Sequence, residues 1–216
     1  MKTNQRESLP IDEISGLLRP FVELSEKQLA DTLIYINLLL KWNSRVNLTA
    51  VRSPKEIVRR HFGESFFAAR YLLSGHDATT VIDLGSGAGF PGLPIAMFAP
   101  QTQVTLIEAQ SKKAVFLSEV IRALNLSNAR VFSQRAETYP ATAQLVTMRA
   151  VEKFEASMPF ATHLVAQDGK LALMIGSSQF KQAKSLAPEF VWDDPIAVPG
   201  GHSRILLVGT KRVKVD

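Results

Sequence analysis

The sequence contains no cysteine. That excludes disulfides, thiolate metal sites and cysteine nucleophiles, and it fits a reducing, cytoplasmic setting. No apolar run approaches the ~18 residues of a membrane span, so no membrane partner is expected. Nor does an apolar segment follow the charges of Met1-Lys2-Thr3-Asn4-Gln5-Arg6-Glu7, which is not the pattern of a secretory signal. Internal repeats and low-complexity tracts are missing. The four histidines, His61, His76, His163 and His202, lack metal-ligand spacing, and no metal is expected.

What is present bounds the fold. At 216 residues and 46% hydrophobic content the chain can build one sizeable α/β domain with an appendage. The net charge is +5, and Lys41 to Arg70 holds seven basic residues against two acidic ones. A polyanionic partner such as nucleic acid would account for that window, and so would the solvated face of an ordinary basic protein.

Helical signals come first. A short helix is expected around Ile11–Leu18. Ser25-Glu26-Lys27-Gln28 is a capping box, followed by Leu29, Leu33, Ile36 and Leu40 at helical spacing. Ser53-Pro54-Lys55-Glu56 predicts a second capped start and a helix running to about Leu73. Ser74-Gly75-His76-Asp77 reads as a linker, dividing an N-terminal helical extension (1–76) from a core domain (77–216). From Val81 onward strands alternate with helices, the mark of a parallel sheet covered on both faces. Strands are expected at 80–84, 103–108, 129–133, 144–148, 170–175 and 204–210, with a seventh at 190–193. Helices are expected near 92–98, 112–124, 153–166 and 178–186, with Ser111 capping the second and Asn125 stopping it.

Within that core, Val81-Ile82-Asp83-Leu84 is a buried-strand run that breaks into Gly85-Ser86-Gly87-Ala88-Gly89-Phe90-Pro91-Gly92 and then a helix. A strand, a glycine turn and a helix N-terminus together present free N–H groups to a nucleotide. The dinucleotide fingerprint needs its third glycine three residues after the second. Here the three glycines alternate, with Asp83 two residues ahead, a form that resembles motif I of Rossmann-like methyltransferases, which bind S-adenosylmethionine. Asp83 suits the cationic part of that ligand and the glycine N–H groups suit its carboxylate, with Ser86 and Phe90 counted in the same loop. Glu108, closing the next strand, is placed to accept hydrogen bonds from a ribose diol, which serves NAD as well. The turn Gln134-Arg135-Ala136-Glu137 follows the third strand, and the Ala136 and Glu137 backbone is within reach of an adenine edge. Arg149, at the end of the fourth strand, would lie beside the methyl group, where it can grip a phosphate or a base.

Two further absences narrow the chemistry. No Asn/Asp-Pro-Pro-aromatic loop follows the fourth strand, where an adenine-N6 enzyme would be expected to carry it. A pyrimidine-C5 enzyme of the RNA type needs a cysteine. Guanine N7 needs neither, because its lone pair is free and alignment supplies most of the catalysis. An NAD-type dehydrogenase and a non-catalytic RNA-binding module stay open as alternatives, although no catalytic acid for a nicotinamide is evident.

Taken together, Asn47-Leu48-Thr49-Ala50-Val51, Arg60-His61-Phe62-x-x-Ser65, the block from Asp83 to Pro94, and Arg149-Ala150 resemble the bacterial ribosomal RNA small subunit methyltransferase G family, also called glucose-inhibited division protein B. The resemblance implies a class I methyltransferase with a mostly parallel seven-stranded sheet. It implies N7-methylation of one guanine in the decoding-centre stem-loop of 16S rRNA, on the 30S subunit, with release of S-adenosylhomocysteine. It further implies a cytoplasmic monomer, whose loss is associated with low-level streptomycin resistance. Carried over by position, Asp83, Gly85, Gly87, Gly89 and Glu108 match the cofactor motifs, Ala136 and Glu137 the pair beside adenine. Arg149 would serve the reaction and border the cofactor. Arg60, His61, Lys112, Lys113, Arg135 and Arg204 would face the RNA. The chain departs from the family at Met148 (often Ser), at Glu64 (usually Asp) and at Ile175-Gly176 (frequently Lys-Gly).

Overall fold

Helix α1 (Ile11–Leu18) starts directly after Pro10, whose ring pre-sets the backbone, and buries Ile14 and Leu18. The structure, a computed structural model, describes residues 9–75, 78–150, 153–201 and 203–212. Helix α2 (Glu26–Asn43) opens on the expected capping box: Gln28 N–H donates to Ser25 Oγ at 3.3 Å, and Ser25 N–H donates to Gln28 Oε1 at 3.0 Å. The third helical stretch starts at Pro54 and ends at Leu73 as expected, with two local departures. Ser53 makes no side-chain cap, and the helix is α3 (Pro54–Ile57), a π turn over Val58–Gly63, and α4 (Glu64–Leu73). Of the linker expected at 74–77, Ser74 and Gly75 form a turn after α4, while His76 and Asp77, and with them the domain boundary, lie outside the described residues.

The strands are β1 (Thr80–Leu84), β2 (Gln103–Ile107), β3 (Ala129–Phe132), β4 (Ala143–Arg149), β5 (Val165–Gly176), β6 (Phe190–Trp192), β7 (Ile196–Ala197) and β8 (Arg204–Lys211). They form one sheet in the order β3-β2-β1-β4-β5-β8-β6, with β7 also on β8. The first five pair in parallel and β8 runs antiparallel between β5 and the edge. Seven positions across were expected. The outer edge, however, is two short pieces, because Asp193-Asp194-Pro195 interrupts it and a proline cannot donate to the ladder. Between strands lie α5 (Gly92–Phe98), α6 (Ser111–Ala123), α7 (Phe154–Leu164) and α8 (Phe180–Leu186). Ser111 is the first residue of α6 rather than its cap. Asn125 does end it, in the left-handed region at φ 51°.

Side chains alternate across each strand, so the sheet feeds two cores. Val81, Val104, Leu145, Ala172 and Leu206 face α1, α2, α4, α5 and α6. Ile82, Ile107, Val146, Leu173 and Leu207 face α7 and α8. The N-terminal helices are therefore one layer of the main core.

Candidate active site

β1 and β4 are neighbours reached by chain segments leaving in opposite directions, and in such sheets the crevice beyond their carboxyl ends takes ligands. The glycine loop rises there. Gly85 and Ser86 N–H groups both donate to Ile107 O at 3.0 Å, which pins the loop across the end of β2. Gly87 sits at φ 57°, and a Cβ there would meet only Gly85 O, at 3.8 Å. The backbone conformation, rather than crowding, asks for glycine, and the space over it is open. Gly92 is the reverse: a Cβ would lie 2.3 Å from Leu106 Cδ2 and 2.8 Å from the Asp83 carboxylate, so α5 can begin against Asp83 only without a side chain.

Asp83 was expected to serve a cationic ligand directly. In the structure it is 1% exposed and already engaged. Thr147 Oγ1 donates to its Oδ1 at 2.8 Å and Gly92 N–H donates to its Oδ2 at 3.2 Å. The carboxylate thus ties β1 to β4 and to the start of α5, and burial pushes its pKa up to about 6. Ser86 and Phe90 also turn inward. Ser86 Oγ donates to Asp83 O at 2.8 Å. Phe90 is stacked between Tyr35, 5.3 Å away, and His61, 5.0 Å away. Tyr35, from α2, donates its hydroxyl to Ala88 O, so the extension holds the loop from behind. Burial raises the Tyr35 pKa well above its ordinary value, with the Asp83 charge adding to it.

Glu108 lies at the rim of the crevice. Its Oε2 accepts from Gly87 N–H at 2.9 Å and its Oε1 from Gln110 N–H at 2.8 Å. A carboxylate has about four acceptor sites, so both oxygens keep capacity for a diol. Ala136 and Glu137 form a 3-10 turn after β3, and Glu108 N–H donates to Phe132 O at the end of that strand. Lys112 and Lys113 lie in the first turn of α6, and Arg135 precedes the 3-10 turn after β3. Among the described residues, no hydrogen bond or ion pair joins the three to the arginine cluster described next.

The fourth strand ends on Arg149, followed by Ala150 in the left-handed region at φ 49°. Its Nη2 donates to Arg60 O at 2.5 Å and Glu64 Oε2 at 3.0 Å, and meets His61 Nδ1 at 3.3 Å. An arginine can only donate, so His61 Nδ1 is an acceptor that shares one of the two Nη2 hydrogens with a neighbouring oxygen, and Nε2 carries the ring proton, placed 2.7 Å from Thr49 Oγ1. Burial, with Arg149 and Arg60 alongside, pushes His61 down to about 3, so the ring is neutral. Glu64 is 2% exposed and holds two cations: Arg149 on Oε2 and Arg204 Nε on Oε1 at 2.7 Å. Burial pushes Glu64 up from the ordinary carboxylate value while Arg149, Arg204 and Arg60 pull it down.

The structure thus gathers Arg60, His61, Arg149 and Arg204, four residues nominated from sequence, around one that was not. Glu64 stood out in the sequence only as a departure from the resembled family. The π turn that delivers Arg60 and His61 carries no periodic signal, since one extra residue per turn shifts the face without changing composition. Asn43 was also missed: its Oδ1 accepts from Leu48 and Thr49 N–H and so shapes the Asn-Leu-Thr loop under His61. The basic window divides. Arg59 and Arg60 line a cavity near Glu64, whereas Arg70 lines another with Tyr71 and Lys170, at the opposite end of the β5–β8 pair.

Known proteins share this fold. A Synechocystis magnesium protoporphyrin IX methyltransferase, solved with bound SAM, superposes with a TM-score of 0.63 at 13% identity, covering 88% of this chain and 99% of that one. A SAM dependent methyltransferase from Aquifex aeolicus gives 0.59 at 16% identity, covering 76% and 97%. These likenesses speak for the fold. Sequence relatives go further. A Xylella fastidiosa protein named ribosomal RNA small subunit methyltransferase G is 39% identical over 182 residues, 82% of this chain and 84% of that protein. One of the same name from Xanthomonas campestris pv. campestris is 41% identical over 185 residues, 83% and 85%. The family profile described as rRNA small subunit methyltransferase G matches residues 28–199, which takes in the glycine loop, Glu108 and Arg149 together, and the chain belongs to that family.

Proposed function

We propose that the protein transfers a methyl group from S-adenosylmethionine to N7 of one guanine in the decoding-centre stem-loop of 16S rRNA, acting as a cytoplasmic monomer on the 30S subunit. Family membership across residues 28–199, with the cradle intact from Asp83 to Glu108, carries this reading. The open space over Gly87 and the spare acceptor sites of Glu108 fit the adenosyl group and its ribose. The cofactor supplies an electrophilic methyl; the chain supplies position. Held by Glu64 and the Arg60 carbonyl, Arg149 stands at the end of β4 with Nε and Nη1 beyond the bonds that anchor it, ready for a purine edge or its phosphate.

The neighbourhood of Arg149 also supports N7 over a nitrogen or oxygen that must first lose a proton. Both His61 nitrogens are engaged, by Arg149 and Thr49, and both Glu64 oxygens are taken by arginines. Among the described residues, the titratable groups around Arg149, namely His61, Glu64 and Asp83, are held in contacts within the protein rather than presented to a base in the crevice. N7 needs no general base, so alignment and electrostatics can carry the step.

The test is methyl transfer from labelled S-adenosylmethionine to small subunits from cells lacking the gene, with the modified nucleotide mapped by cleavage at 7-methylguanine. One cleaved guanine in the decoding-centre stem-loop is expected; label elsewhere, or none, would sink the proposal. Arg149→Ala should abolish transfer and leave cofactor affinity within a few-fold, whereas Asp83→Ala should lose cofactor binding first. A loss of cofactor binding in Arg149→Ala would reassign that residue.

A further inference from the structure

Beside the arginine cluster, where β5 stops and β8 starts, lies a cavity of about 530 Å³. That is within the roughly 300–1,000 Å³ of pockets that take a small-molecule-sized group. Three segments distant in sequence build it. Phe21, from the stretch between α1 and α2, packs its ring against Gly63 of the π turn, where a Cβ would come within 2.7 Å of it. The π turn sends Arg59 and Arg60 to the walls. The turn before β8, closed by Val198 N–H on Arg204 O at 3.1 Å and Gly201 N–H on Val198 O at 3.0 Å, adds Ser203 and Arg204.

Of the charged residues lining the cavity, three are arginines (Arg59, Arg60 and Arg204) and two are carboxylates (Glu56 and Glu64), a surplus of one positive charge that favours an anion. Arg59 is largely in water, its side chain 54% exposed, and its acidic neighbour Glu56 stands 3.7 Å away. Arg204 lies close to Glu64, but its Nε–H is not aimed along the line between them, so charge holds it there without a directed hydrogen bond. The Arg204 side chain is still 32% exposed, so donors of its guanidinium remain for a ligand in the cavity. Glu64, the carboxylate that partly offsets Arg204, is shared with Arg149. Three guanidinium forks and a hydroxyl around one space are the donors that phosphate oxygens take.

We infer that this cavity is a phosphate subsite of the RNA substrate, taking the phosphodiester of a nucleotide next to the methylated base through Arg59, Arg60 and Arg204. The inference rests on the rRNA methyl-transfer reading above and extends it to the strand beside the base. One carboxylate separates the cavity from Arg149, so the nucleotide that fills it is a close neighbour of the one presented for reaction.

Steady-state methyl transfer to unmodified small subunits tests it, with Arg59→Ala, Arg59→Glu and Glu56→Gln compared over a salt series. Arg59→Ala should raise KM for the subunit about five- to tenfold and lower the salt slope by about one contact, and Arg59→Glu should raise KM further. Glu56→Gln should lower KM, a gain that a merely structural role would not produce. The kcat and the cofactor Kd should stay within about twofold, the difference falling on substrate binding. Arg59 variants with wild-type KM and salt slope, or a Glu56→Gln variant with raised KM, would overturn the subsite. Wild-type protein that transfers no methyl group would instead sink the rRNA proposal itself, so the two failures are distinguishable.

Discussion

Asp83, buried, and His61, half-buried, are titratable groups whose shifts oppose each other. The folded-state pKa of Asp83, about 6 against an ordinary 3.8, means that the folded chain binds the proton more tightly. Its charge therefore costs stability as pH rises through that window, roughly 3 kcal/mol in full. His61, about 3 against 6.5, is the opposite case: the unfolded chain takes the proton first. The stability its neutral ring contributes is present above 6.5 and is lost as pH falls toward 3. Urea denaturation at several pH values separates them. Asp83→Asn should make stability rise more steeply with pH between about 4 and 6, and His61→Gln should flatten or reverse that rise; curves parallel to wild type would refute both assignments. Glu64→Gln should show the weight of the shared carboxylate. With two arginines left facing an amide, a loss of about 3 kcal/mol or more is expected by denaturation, with methyl transfer falling alongside and Glu64→Asp recovering part of each. Nothing in the sequence around Glu64 announces this role. Both its cationic partners arrive from remote strands, and a carboxylate on a helix reads by default as solvated.

At the scale of elements, local chemistry was legible wherever it was self-contained. The capping box of α2 is where the Ser-x-x-Gln spacing put it, and Asn125 ends α6 in the conformation that its residue type favours. Ser53 stands at the N-cap of α3 with the extended backbone expected there but makes no side-chain hydrogen bond, and Ser111 lies one residue inside α6, so residue type alone did not settle either cap. Glycine spacing marked the loop proposed to hold the cofactor, but how that loop is held could not be read from it. Tyr35 reaches Ala88 O from 53 residues away and stacks flat on Phe90. Tyr35→Phe keeps the ring and strands the carbonyl. A stability loss of about 1–2 kcal/mol is expected, together with weaker S-adenosylmethionine binding by calorimetry. Unchanged cofactor affinity would mean that the loop holds its shape without α2.

For the whole molecule, the sheet with its two cores makes the N-terminal helices part of the fold. Ile14, Tyr35, Ile36, Phe62 and Phe66 share one apolar cluster with Val81, Leu93, Phe116 and Leu206. A chain shortened to begin at Ala78 would bare that face. We expect no cooperative thermal transition from it by circular dichroism, whereas a sharp melt would make the core domain independent. By itself the sequence determined the alternation of strands and helices, the methyltransferase type of glycine loop and the position of Glu108, because these are written in residue spacing over a few turns or strands. Only the tertiary structure decided that Asp83 is spent inside the protein, that a π turn carries Arg60 and His61 to Arg149, and that Glu64 joins Arg149 to Arg204. Those contacts bridge residues far apart in the chain, and their distances are set by how the helices pack on the sheet, which no short-range pattern encodes.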